Sequence, residues 1–491
     1  MPPPNAKIAD LENQYYDDRV LKRYLQRVLP KDVHRDIEDS LVELGALAGG
    51  DLYDLQLSDR TSKPSLTQWD ARGERIDHIE LTEVWQRALD LTAEYGLVAT
   101  PYEQNHGEYS RIHQFAMVHL LVPATDMIGF LLATTDGAAR TIQQSGNQAL
   151  IDKALPHLLS RSTDELWTSG QWRTEKTGGS DLSRIRTEAR RKDGTWRLYG
   201  QKWFTSSSVA NMALVLAKPQ RDDVDDLALF YLPIRDNDGS VAEGIHVNRL
   251  KENLGADKLP VSEIQLEGAA CRPVSKLSNG RLHLADMVEL ARTWNAVMST
   301  AYMRRGIALA RDFGRKRKAF GTPIIEKPLH YDTMASMQAT YEGAFHLTFR
   351  LVELIGKREA GSISNEDHQL LQALTPIVKL TTAKQAVHVM GEVMEAFGGA
   401  GYVEETGIPM LLRDVYALPV WEGTTNVLSL VSLQALRRDG RLSSLKAELT
   451  RCAAAVEAPA LQHAVQTAMD AFRNAVEWLA TALDDGQEAA E

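Results

Sequence analysis

The chain has 491 residues, 44% hydrophobic and 25% charged, a length for about three domains and a composition that excludes collagen-like, low-complexity and wholly disordered classes. Sixty-six acidic against 55 basic side chains leave a formal charge of −11, so the surface as a whole repels a polyanion and argues against nucleic acid as partner. Cys271 and Cys452 form neither a CxxC pair nor a disulfide framework, and the opening MPPPNAK carries neither a secretory nor a transit pattern, so a reducing, cytoplasmic location is expected.

Apolar residues return at spacings of three and four over 20–29, 37–47 and 84–97, which predicts a helical N-terminal domain over 1–165. Residues 49–73, rich in Gly, Asp and Ser, read as a long surface connection. The most apolar stretch, 115–135, is interrupted by His119, Pro123 and Asp126, so it predicts buried helices and no membrane span. The texture then changes. Residues 187–200 read as two strands around a Lys192-Asp-Gly-Thr turn, followed by strands over 213–217 and 227–232, and together they predict a β-barrel or sandwich over 166–280. Helical period returns over 286–317 and 332–357, within a bundle over 281–437. The extension over 438–491 carries an apolar stripe through Leu445, Leu449, Val456, Leu461, Val465, Met469, Phe472, Val476 and Leu479. From Arg441 onward it has four cations against eight carboxylates, the wrong sign for a DNA-binding tail.

Four segments carry chemical potential. Thr174-Glu-Lys-Thr-Gly-Gly-Ser-Asp181 offers backbone N–H groups that can converge on phosphate or carbonyl oxygens, and it also reads as an ordinary turn. Ala396-Phe-Gly-Gly-Ala-Gly-Tyr402 admits close approach of a ligand, or ends a helix. In Val420-Trp-Glu-Gly-Thr-Thr-Asn-Val427, a carboxylate beside Trp could serve as a general base, or could simply favour a helix start. Arg315-Lys-Arg-Lys-Ala-Phe-Gly321 is a solvated face or a diphosphate contact. Walker, GxGxxG, GxSxG and HExxH patterns are missing, and no Cys/His spacing of metal type occurs, so no metal site is expected.

In their order and separations these segments resemble the acyl-CoA dehydrogenase superfamily over about residues 81–437. The resemblance implies a mainly α fold with a central β-barrel between two helical bundles, and FAD as cofactor. Thr174, Gly179 and Ser180 match the T-E-x-x-x-G-S-D flavin loop, and Gly200-Gln-Lys-Trp-Phe-Thr-Ser206 matches the second flavin motif, with Phe204 and Ser206 at its aromatic and hydroxyl positions. Arg317 and Phe320 match the R-x-x-F-G that reaches the FAD of a neighbouring subunit, which implies a homo-oligomer, a dimer or a dimer of dimers (homotetramer). Gly398 and Gly399 match the Gly-rich turn at the cofactor's outer half. Trp421-Glu-Gly-Thr424, with Asn426, matches the segment carrying the catalytic glutamate, here Glu422.

A minority of the family place the base before a characteristic arginine, here Arg292, but the preceding residue is Ala291. Ser180, Arg292, Glu422 and Gly423 are then the implied substrate contacts. The implied reaction takes the α-proton of a long or atypical acyl-CoA onto Glu422 and the β-hydrogen as hydride to flavin N5, with an electron-transfer flavoprotein as the usual acceptor. Departures at Lys176, Pro328, Glu395 and Trp421, with Asp70-Ala-Arg-Gly-Glu-Arg-Ile-Asp77, are most similar to the alkylation-response, AidB-like branch. Its competing readings are a flavoprotein that binds nucleic acid, and one that sequesters acyl-CoA without efficient turnover.

Overall fold

The computed structural model describes residues 7–220, 226–236 and 238–484, and side chains up to 480. Helices Lys31–Gly49, Glu83–Glu94, Ser110–Leu121 and Gly129–Gln144 form the core of the first unit. The apolar run over 115–135 lies in the last two helices and their connection, buried throughout, and no helix among the described residues is long and apolar enough to cross a membrane.

Residues 49–73 depart from the expected plain connection. They contain the helix Asp51–Ser58 and strand β1 (Ser65–Trp69), which pairs antiparallel with β2 (Arg75–Glu80). β1 alternates between exposed and half-buried positions and buries nothing fully, so it carries no hydrophobic period to read. The hairpin docks through Asp77, whose Oδ2 accepts from Arg75 Nε at 2.9 Å and from the Val247 N–H at 2.8 Å.

The middle unit holds β3 (Ser169–Trp172), β4 (Glu188–Lys192), β5 (Thr195–Thr205), β6 (Met212–Pro219), β7 (Ala228–Pro233), β8 (Ile245–Leu250) and β9 (Ser262–Pro273). Strands β6, β4, β5, β9 and β7 pair in sequence and β7 returns to β6, which closes a barrel. β4 and β5 meet at Asp193-Gly194, both at positive φ (49° and 81°), the turn geometry that matches the strands' own twist. β5 gains one residue over β9 between Lys202 and Thr205. Such a bulge re-aims side chains, and here it carries Trp203 and Phe204. β3 adds to β6 in parallel and is tied to the first unit where Thr134 Oγ1 donates to the Ser169 carbonyl at 2.7 Å.

The third unit is built on three 32-residue helices, Ala285–Lys316, Pro328–Glu359 and Asn365–Ala396, followed by Ile408–Val415 and Thr425–Leu436. A buried polar cluster joins it to the first. Asp136 Oδ2 accepts from Arg111 Nη1 at 2.6 Å and Trp294 Nε1 at 2.8 Å, while Arg111 grips Glu359 through Nε and Nη2 at 2.6 and 2.8 Å. The extension forms two helices, Arg441–Ala454 and Gln462–Asp484, interrupted around Pro459. Leu445 lies in the bundle core with Leu449 and Phe472 packed against it, and Arg350 bridges Glu448 and Asp367 at 2.9 and 3.0 Å. Residues 1–6 and 485–491 of the expected terminal units lie outside the described residues.

Candidate active site

β3 runs out at Trp172 into Arg173 and Thr174, and the loop that follows is pinned by its own glutamate. Glu175 is buried, and its carboxylate accepts from Lys202 Nζ at 2.9 Å, Thr187 Oγ1 at 2.6 Å and the Arg186 N–H at 2.7 Å. Burial opposes that charge, but the Lys202 ammonium and the surrounding donors hold the carboxyl below its ordinary value. The T-E and G-Q-K segments are thus stapled together by one buried pair. The Thr174 carbonyl also accepts the Trp203 N–H at 2.9 Å, so the bulge of β5 sits beside the loop. Gly179 lies against Thr174, where a Cβ would come within 2.7 Å of Oγ1.

Phe204 projects from the bulge at φ 56° and is 58% exposed. Its ring stands edge-on to Trp203, and Lys251 Nζ lies 3.5 Å from the Trp203 ring centroid. Ser180 is exposed on the loop and Ser206 is half-buried after the bulge.

Glu422 approaches this rim from the third unit. It is only 6% exposed and its backbone is left-handed, φ 57°, with Gly423 at 110°. Its carboxylate does not serve the helix Thr425–Leu436, which starts beyond it. Instead Oε2 accepts from Arg173 Nη2 at 2.8 Å. Two more cations hold the same segment by its main chain: Lys379 Nζ donates to the Gly423 carbonyl at 2.6 Å and Arg292 Nε to the Glu422 carbonyl at 3.4 Å. Burial pushes the Lys379 ammonium down to about 7, against the pull of Glu422 and with the repulsion of Arg292. Trp421 packs edge-on against Phe130, centroids 4.5 Å apart. Thr424 and Asn426 are exposed at the start of the next helix.

The remaining candidates gather elsewhere. Arg317 and Phe320 follow the C-terminal end of Ala285–Lys316, whereas Arg292 lies near its start. At 1.5 Å of rise per residue the two arginines are roughly 35 Å apart. Gly398 and Gly399 are exposed beside the first pair, joined to it by the Phe313–Phe397 stack at 4.5 Å. Phe320 is 98% exposed. One chain therefore presents two separate groups: Thr174, Gly179, Phe204, Arg292, Glu422 and Gly423 in one place, and Arg317, Phe320, Gly398 and Gly399 in another.

The first group fits a flat aromatic cofactor. Phe204 offers an exposed ring, with Lys251 Nζ 4.8 Å from its centroid. Gln171, on β3 two residues before Arg173, leaves a buried amide Nε2 without a partner. A buried donor left unpaired is costly, so an acceptor belongs there. Sequence reasoning missed Arg173 and Lys379. A cation directly before Thr174 was the available signal for the first, whereas Lys379 lies in a helix and gives none.

The sequence profiles of the acyl-CoA dehydrogenase middle and C-terminal domains match residues 170–269 and 280–436, and that of the adaptive response protein AidB N-terminal domain matches residues 5–165. The chain is 39% identical over 432 residues to acyl-CoA dehydrogenase family member 11 of Caenorhabditis elegans, covering 86% of this chain and 70% of that protein. The chain belongs to the acyl-CoA dehydrogenase family. Within it, the match at residues 5–165 places it with the AidB-like proteins. Escherichia coli AidB itself, described as a putative acyl-CoA dehydrogenase, is 29% identical over 83% of this chain and 73% of its own length. The crystal structure of C. elegans ACDH-11 in complex with C11-CoA superposes with a TM-score of 0.94 at 35% identity, covering 99% of this chain and 84% of that one.

Proposed function

We propose that the protein is an FAD-dependent acyl-CoA dehydrogenase acting on a long or atypical acyl-CoA, with Glu422 as the base that takes the α-proton. The observation that carries this reading is a carboxylate, 6% exposed, held in a left-handed backbone at the seam between the barrel rim and the third unit. A C11 acyl-CoA in the related ACDH-11 structure supports the substrate class.

Bound FAD would supply the hydride acceptor; Thr174, Gly179, Ser180, Phe204, Ser206, Trp421, Thr424 and Asn426 are the candidate contacts. The chain's own residues do the rest. A thioester carbonyl acidifies the α-carbon when donors stabilise the developing enolate oxygen, and Gln171 Nε2, two residues before Arg173, is a buried donor without a partner. Arg292 and Lys379 fix the carbonyls of Glu422 and Gly423, so the carboxylate is aimed by a rigid segment and shielded from water that would compete for the α-proton. Ser180 and Arg292 are the further substrate contacts. Arg317, Phe320, Gly398 and Gly399, far from Glu422 on their own chain, would complete the cofactor site of a neighbouring copy in a dimer or dimer of dimers. An electron-transfer flavoprotein would then reoxidise the enzyme from the cytoplasm.

Anaerobic addition of a series of acyl-CoAs to the flavin-loaded protein should bleach the oxidised flavin absorbance. Glu422→Gln should slow that bleaching by at least about a thousandfold, on the scale of losing a catalytic base. Bleaching at the wild-type rate in the variant would assign the base elsewhere. A second reading, acyl-CoA sequestration without turnover, is favoured by one observation: Arg173 already occupies the carboxylate. It expects tight acyl-CoA binding with the flavin absorbance undiminished.

A further inference from the structure

We propose that Arg173 is a latch on Glu422: it pairs with carboxylate Oε2, and an acyl chain that takes up position against that oxygen displaces it. The inference rests on the proposed placement of the acyl-CoA site at Glu422, and Arg173 is a positioning residue that acts through that carboxylate.

Three cations face Glu422 and they are not equivalent. Arg292, on Ala285–Lys316, and Lys379, on Asn365–Ala396, reach main-chain carbonyls of residues 422 and 423. Their bonds fix the segment and leave the carboxylate oxygens alone. Arg173 comes from the barrel, 249 residues away in sequence, and is the one that bonds the carboxylate, through Nη2 to Oε2.

The guanidinium is bonded to Oε2 alone, so an acyl chain brought against that oxygen meets the guanidinium there, and its α-proton reaches Oε2 only if one of the groups holding the site gives way. Arg292 and Lys379 are held more firmly, because their loss would free two part-buried carbonyls and relax a segment held at positive φ. The Arg173 side chain is 20% exposed, against 3% for Glu422, so its head group has a route to water that the carboxylate lacks. An arginine can withdraw along such a route and leave its stem against apolar surface. Lys379 and Arg292 remain beside the released carboxylate, so it is not stranded as an isolated buried charge.

The test is a double-mutant cycle on binding in the flavin-loaded protein. The probe is an S-undecyl-CoA thioether, which has no carbonyl to acidify its α-carbon and so cannot be turned over. Calorimetry compares wild type, Arg173→Met, Glu422→Gln and the double variant. Arg173→Met should tighten binding about tenfold, because no ion pair has to be opened, and the same change should gain less than about twofold in the Glu422→Gln background. Arg173→Gln should behave like Arg173→Met, and Arg173→Lys should return most of the way to wild type. Unchanged or weaker binding in both neutral variants, or an equal gain in both backgrounds, overturns the latch. Flavin reduction by acyl-CoAs, measured in parallel, keeps the two proposals separate. Coupling without reduction removes the dehydrogenase reading and leaves the latch, whereas reduction without coupling removes the latch alone.

Discussion

Glu422 occupies a backbone region that costs a residue with a Cβ about 1–3 kcal/mol, and the cations around it hold it there. Lys379 does so at an electrostatic disadvantage. Folded, its ammonium loses its proton near 7, and unfolded near 10.5. Between those values the unfolded chain binds more protons, so the free energy of unfolding rises with pH across that window, and below about 7 the full cost of burying the charge is present. Lys379→Met removes this dependence. Urea unfolding at about pH 7 and about pH 9.5 should show a smaller rise for the variant than for wild type. An equal rise would show that Lys379 keeps its charge in the folded protein.

Local motifs were readable along the chain, and cross-chain partners were not. The Glu422 segment, the Thr174 loop and the Asp193-Gly194 turn each lie within a few consecutive residues, where chemistry and backbone preference coincide. Arg173 meets Glu422 across 249 residues and Lys379 meets Gly423 across 44, separations over which residue spacing carries no geometric information.

At the scale of elements, the same contrast explains the strands. β4 and β5 were legible from their turn. β9 alternates over 264–267 and again over 269–272, but loses phase at Gly268, where its register against β5 shifts, so neither half is long enough to mark a strand, and it passed unread although it pairs with β5, β7 and β8. The link between Glu422 and the helix Thr425–Leu436 is equally specific. Gly423 stands at φ 110°, and a Cβ there would meet the Leu428 side chain at 3.0 Å. Gly423→Ala should lower unfolding stability by about 1–3 kcal/mol and slow flavin reduction by acyl-CoA, because relief of the strain turns Glu422 away from the rim. Full activity with the same loss of stability would separate the backbone strain from the chemistry.

For the whole molecule, the long helix Ala285–Lys316 sets the two candidate groups apart. Arg317 and Phe320 are exposed and make no core contact, so Arg317→Glu should leave the thermal midpoint of the protomer within about 1 °C, as surface changes commonly do. It should still reduce the flavin retained through gel filtration by more than about half, because a carboxylate would then face the cofactor's phosphates. Undiminished flavin would place the cofactor wholly within one chain.

The cluster around Asp136 bears on how such a protein can evolve. Arg111 belongs to the first unit and Glu359 and Trp294 to the third, yet each completes the other's buried charge or donor. Separating the two would part Glu359 and Trp294 from their partners Arg111 and Asp136 and expose the apolar surface packed around them. The amino-terminal helices are therefore no detachable accessory. Ancestral recombination could exchange them only together with the bundle against which their charges close.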